Sequence, residues 1–223
     1  MNNILDKIDN AKHVVIVSDA KGLANASAIY SHVLRLHKKV SFVCYDEQID
    51  KKYSFLPWFE KIKSQKIASA DFTIAIDFSS LELYDFFKKS KIKINNKMAT
   101  ALYAGVLQDS ENFSKNLFDG IIFAVAKELI ESGAHYQMCY DFMIKRATLS
   151  ILRLKSKMLK NMTLCNSAKA AVFTISQNEI LSCGAKIDEC YEVMKEAFRL
   201  PYVELSVLLD SAKEYEVLKI KEK

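Results

Sequence analysis

The sequence predicts an α/β protein: a parallel-sheet N-terminal domain, a long connecting helix and a small α+β C-terminal domain. Three observations lead there. His13-Val14-Val15-Ile16-Val17-Ser18 is a β-branched apolar run without polar alternation, the pattern of a strand buried on both faces of a parallel sheet. A helical stretch from Ala24 to Leu36 separates it from a second such run, Val40 to Tyr45, and strand, helix and strand at this spacing form a right-handed βαβ unit. Near the C-terminus Ala171, Phe173 and Ile175 alternate with Val172 and Thr174, which suits a sheet with one face exposed.

The remaining elements follow in order. Asp71 to Asp77 reads as a third strand ending in an acid, Leu81 to Lys88 as a short helix, and Ile92-Lys93-Ile94 as a brief fourth strand. A helix from about Lys97 carries Ala99, Leu102, Tyr103 and Val106, and another from Leu117 to Ser132 ends at Gly133, a residue suited to a helix C-terminus. Tyr136 to Asn161 reads as one long spine. The last part reads as strands 169–175, 202–209 and 214–220 with a helix over 188–198. The domains expected are 1–140, a connecting helix over 141–161, and 162–223.

Composition narrows the function classes. With half its residues hydrophobic and a net charge of +5 spread along the chain, the protein fits a globular class with a solvated surface better than a nucleic-acid binder. No apolar run approaches the about 18 residues that a spanning helix needs, and the first residues carry no apolar leader, so a bacterial cytoplasm is the expected setting. The five cysteines form no CxxC pair, which suits reduced thiols and offers no zinc set. His13, His32, His37 and His135 form no catalytic arrangement, so each is expected at the surface or in packing.

The segment Val17-Ser18-Asp19-Ala20-Lys21-Gly22-Leu23-Ala24-Asn25-Ala26-Ser27-Ala28 resembles the first motif of DHH-family phosphoesterases, roughly H-x-N-P-D-G-D-A-x-G-S-A. Gly22, Ala24, Ser27 and Ala28 match in register, whereas Val17 stands in the place of the His and Lys21 and Leu23 in those of the two Asp. Asp77 is similar to the acid ending the family's next strand. Ala101-Leu102-Tyr103-Ala104-Gly105-Val106-Leu107-Gln108-Asp109-Ser110-Glu111-Asn112-Phe113 looks like its A-x-L-Y-x-G-I-x-T-D-T-x-x-F, with Asp109 in the acid's place. The Asp-His-His itself is missing; Ser90 to Asn96 lies where it would stand. The last residues resemble the family's associated substrate-binding domain up to Ile220, short of its G-G-G-H loop.

The resemblance implies hydrolysis of phosphodiesters or nucleotide phosphates by hydroxide held between two Mn²⁺ ions, with residual acids Asp19, Asp77 and Asp109. Two coordination shells need more His and Asp donors than these, and Lys21 adds a cation where a dication would sit. The expectation is therefore a catalytically degenerate cytoplasmic protein with no cofactor, serving as a structural or regulatory protein-binding component or homo-oligomer. The alternatives are an active Mn²⁺-dependent phosphoesterase on short oligonucleotides or nucleotide phosphates, and a nucleotide sensor without turnover. Gly22, at a helix start, is the candidate phosphate cradle; helix capping for Asp77 and turn formation for Asp109 are the competing structural roles. On the spine, Met138, Phe142, Leu149, Leu152 and Met158 cannot all face one way, so they are the candidate interface residues.

Overall fold

A computed structural model describes residues 4–46, 49–65, 67, 69–114, 120–213 and 215–223. The expected helix start at Leu117 and strand start at Glu214 lie outside these residues. The chain divides into two compact units, Met1–Arg146 and Ala147–Lys223. Among the described residues no helix is long and apolar enough to cross a membrane.

The first unit is built on four parallel strands, β1 (His13–Ser18), β2 (Lys39–Cys44), β3 (Ile62–Lys63) and β4 (Phe72–Ala75), in the order β3-β2-β1-β4. β1 is central, and its Val14, Val15 and Ile16 are buried, as its unbroken apolar run requires. A short helix α1 (Ile4–Asn10) precedes it, and α2 (Leu23–Arg35) crosses over to β2 with every residue from Leu23 to Val33 buried. The helix is enclosed all round, and the polar residues it buries find partners: Ser31 donates to the Ser27 carbonyl and Ser27 to the Pro57 carbonyl, as buried hydroxyls must. α4 (Asn96–Asp109) is the second such helix, buried from Met98 to Leu107. It packs on α2, α3 (Ser80–Lys89) and α5 (Ile121–Glu131). Small residues on both sides, Ala24, Ala28, Ala101 and Gly105 among them, let these backbones approach.

Local chemistry explains the ends. Ser79 caps α3, its hydroxyl accepting from the Glu82 amide while the Glu82 carboxylate accepts from the Ser79 amide, a reciprocal pair that satisfies two orphan donors. Asn95 caps α4 through the Met98 amide at 2.9 Å. The fourth strand expected at Ile92–Ile94 is absent. Lys91 turns left-handed (φ 54°) and the Ile92 amide donates to the Phe87 carbonyl at 2.8 Å, so this segment closes α3 instead. His32 is buried, packs against the Phe87 ring at 5.8 Å and leaves Nε2 without a partner. Burial, and then the Arg35 charge, hold its pKa below the usual value, against a smaller opposite pull from Asp9.

The long spine expected over 136–161 is two helices. α6 (Tyr136–Tyr140) runs into a π turn, Asp141–Lys145, and the chain then extends at Arg146 (ψ 131°). The Arg146 guanidinium lies over the Phe142 ring at 3.6 Å, and Phe142 packs on Phe55 at 5.3 Å, which ties this turn to the first unit. Thr148 then caps α7 (Leu149–Lys160), accepting from the Ile151 amide. The division between units therefore falls at this break, ahead of the expected domain start at 162, and α7 contributes Leu154 and Met158 to the second core.

The second unit is a mixed sheet of β5 (Thr163–Cys165), β6 (Ala170–Ile175), β7 (Leu205–Asp210) and β8 (Glu216–Glu222), in that order. β6 and β7 are parallel and both edges antiparallel. Its inner face, Ala171, Phe173, Ile175 and Leu208, packs with residues of α7, α8 (Gln177–Ser182) and α9 (Ile187–Val193), notably Ile180 and Val193.

Candidate functional site

In an open α/β sheet ligands sit beyond the carboxyl ends of the strands. Here the chain leaves β1 through Asp19-Ala20-Lys21-Gly22, β2 through Tyr45-Asp46, and β4 through Ile76-Asp77. The Asp19 carboxylate accepts from the Gly22 amide at 2.8 Å, folding its own turn. The Asp46 carboxylate accepts from the Ala20 amide at 2.6 Å and so ties the β2 end to the β1 end. From α4, the Gln108 amide group donates to the Lys21 carbonyl at 2.8 Å and accepts from the Tyr53 hydroxyl at 2.8 Å. Burial, followed by the Asp50 and Asp19 carboxylates, pushes the Tyr53 pKa up to about 12, so the phenol stays protonated and donates. The turn after β1 is thus clamped by side chains from two other segments, Asp46 and Gln108, the latter held in turn by Tyr53.

A second group of polar residues lies where α2, α3 and α4 meet. Asp109, the last residue of α4, accepts from the Ser80 amide at 2.7 Å. Buried Ser80 donates through Oγ to Asn25 Oδ1 at 2.9 Å, and Asn25 Nδ2 donates to the Phe78 carbonyl at 2.9 Å. The Asp109 charge at the first turn of α3 complements the helix dipole and satisfies one of its orphan amides. Asp109→Ala is expected to cost about 1 kcal/mol, the usual loss of a capping acid. Urea unfolding of the purified variant measures it, and an unchanged midpoint would show the cap to be dispensable.

The remaining predicted residues are set apart from this group. Asp77 is exposed, its carboxylate makes no hydrogen bond with a described residue, and the capping position proposed for it belongs to Ser79. Gly22 opens α2 with its amide donating to the Asp19 carbonyl and carboxylate. A Cβ there would come within 3.0 Å of Ile76 Cγ2 and 3.1 Å of Ser18 Cβ, so close packing against the β4 end already accounts for the glycine. Lys21 is exposed, Val17 half-buried and Leu23 in the core. Of the spine residues, Met138, Leu149 and Leu152 are exposed and Phe142 is half-buried. Met158 is fully buried in the second core, a correction to its reading as an interface residue. Asp46, Tyr53 and Asn25 escaped the sequence reading. Asp46 could have been found by the strand-end logic that picked Asp77; Tyr53 and Asn25 carry no local signal.

A two-ion centre does not fit these residues. Among the described residues no three His, Cys, Asp or Glu side chains come together as a metal site. Asp19 and Asp109 are hydrogen-bonded to backbone amides, and the positions matching the missing ligands carry an aliphatic side chain or an ammonium group.

The parallel sheet with its crossover helix and the mixed-sheet second unit make an α/β architecture of two units. Among solved structures, the chain is similar to an exopolyphosphatase-related protein from Bacteroides fragilis, with a TM-score of 0.76 and 15% identity over 96% of this chain and 80% of that one. An alignment with the exonuclease RecJ bound to manganese covers 94% of this chain and 78% of that one, at 10% identity and a TM-score of 0.39. No family model matches the sequence, and no curated protein does.

Proposed function

We propose that this protein is a DHH-like scaffold that has lost two-metal hydrolysis and acts in the cytoplasm as a protein-binding component. One observation carries the reading. Asp109, in the best-preserved stretch of resemblance, is hydrogen-bonded to the first amide of α3, while Lys21 stands where the resemblance expects a metal-binding acid. Two-metal catalysis needs oxygens free to bridge ions on both the attacking and the leaving side. An acid committed to a helix amide, and a lysine where the resemblance expects an acid, oppose that arrangement. Exposed leucines on α7, Leu149 and Leu152, support a binding role, since large apolar side chains left in water mark contact surfaces.

The purified full chain is expected to release no product above a blank from diribonucleotides or phosphoadenosine phosphate with Mn²⁺. Turnover above the blank that is lost in both Asp77→Ala and Asp109→Ala would overturn the reading and restore an active phosphoesterase.

A further inference from the structure

His32 is a buried titratable group that the candidate site does not use. It lies on α2 at 7% exposure, and its Nε2 has no hydrogen-bond partner among the described residues. The ring lines a void of about 10 Å³ together with Ile4 and Ile8 of α1, Ile29 of α2, Phe78, and Leu83 and Phe87 of α3. A buried water needs two to four polar neighbours, and this lining offers only the imidazole. A neutral ring tolerates such a pocket. An imidazolium, which must place a charge and a further N–H there, does not. We infer that His32 is a pH-sensitive latch on α1, which stays docked while the imidazole is neutral and lifts off the pocket when mild acid protonates it.

α1 is the wall of the pocket that yields. It has seven residues, of which only Ile8 is buried, and a helix this short owes its structure to packing. Its other holds include the Lys38 ammonium, which donates to the Asp9 carbonyl at 2.6 Å, and Lys7 over the Phe72 ring at 5.7 Å. α2 and α3 are fixed instead by the first core and by the bond between Ser80 and Asn25. The surrounding charges do not take the place of water. Arg35, on α2 itself, opposes a second cation, and Asp9 on α1 favours one with a smaller effect. On α3, Lys88 is paired with Glu128, Lys89 with Asp85, and Glu82 with the Ser79 amide; Asp6 and Lys7 on α1 are exposed. Above about pH 6.5, the ordinary imidazole value, His32 is neutral whether α1 is docked or lifted, so docking does not vary with pH. Below it the lifted state, with its ring in water, takes up the proton first. The docking constant then falls by up to about tenfold per pH unit, until the buried ring itself titrates.

Hydrogen exchange of the full chain tests the latch at the Ala11 amide, which donates to the Lys7 and Ile8 carbonyls at the end of α1. Its protection, corrected for the intrinsic exchange rate, is expected to be level above about pH 6.5 and to fall by up to about tenfold per unit below it. The amides of β1 should keep theirs, because the rest of the first unit stays folded. In His32→Leu, which fills the pocket with an aliphatic group, and in His32→Gln, which keeps a polar group that does not titrate, the fall should disappear. Circular dichroism confirms that each variant is folded. Level protection in the wild type, an equal fall in a folded variant, or loss of protection in β1 in step with α1 overturns the proposal. Each of these results leaves the hydrolysis assay, and the reading it tests, unaffected.

Discussion

Gly105→Ala is expected to destabilise the first unit by about 3 kcal/mol, at the upper end of what overpacking a core costs. The added methyl would fall on Ser80 Oγ, at 3.1 Å from Ser80 Cβ and 3.0 Å from Asn25 Oδ1. Neither neighbour is the loose end of a flexible chain. Ser80 is the first residue of α3 and is fully buried; its amide is held by Asp109 and its hydroxyl by Asn25. Asn25 is held in turn by the Phe78 carbonyl. Making room means moving α3 away from α4, which breaks a buried polar network, and a network left partly satisfied is costly. Urea unfolding followed by the emission of Trp58, the chain's one tryptophan and a member of the first unit, gives the number. Removing Ser80 Oγ and Cβ in a Gly105→Ala, Ser80→Gly double variant is expected to regain part of the loss. A single variant within about 0.5 kcal/mol of wild type, the range of a neutral surface change, would show that the helices part easily and that the packing argument is wrong.

The same residues explain what the sequence could and could not reveal. β1 was legible because burial on both faces leaves an unbroken apolar record, Val14, Val15 and Ile16, and α2 because apolar residues such as Ala28, Val33 and Leu36 recur between two such strands. β3 was not, because two residues, Ile62 and Lys63, hold a place at the sheet edge by pairing with Phe42 and Val43, and two residues carry no periodicity. Ile92–Ile94 has the composition of a strand, yet a left-handed Lys91 commits it to ending α3. The break between α6 and α7 falls where the π turn Asp141–Lys145 ends at an extended Arg146 and Phe142 packs on Phe55, a contact between residues far apart in sequence that the local pattern does not announce. At the candidate site the acids could be named from motif position, but their partners could not. That Asp109 meets Ser80, 29 residues earlier, follows from how α3 and α4 cross.

Met158→Glu is expected to unfold the second unit, whereas Leu152→Glu, six residues earlier on the same helix, should leave its stability unchanged. At about 100° per residue, Leu149 and Met158 lie two and a half turns apart and so on opposite sides of α7. Leu154 and Met158 form the inner side, fully buried in one cluster with Phe173, Ile180 and Met194. Leu149 and Leu152 form the outer side, 62% and 54% exposed. A carboxylate in place of the buried Met158 thioether has no described cation in the cluster to meet it, so it adds the desolvation of a buried charge, or the cost of protonating it, which is several kcal/mol. A unit of this size has little stability beyond that to lose. Leu152→Glu removes an apolar group from water and adds no buried charge, so its effect should stay within about 0.5 kcal/mol. Far-UV circular dichroism reads the loss of the second unit, and Trp58 emission separates it from a collapse of the first. Equal destabilisation by the two variants would mean that the outer leucines are packed rather than free, and would remove the main support for α7 as a binding surface.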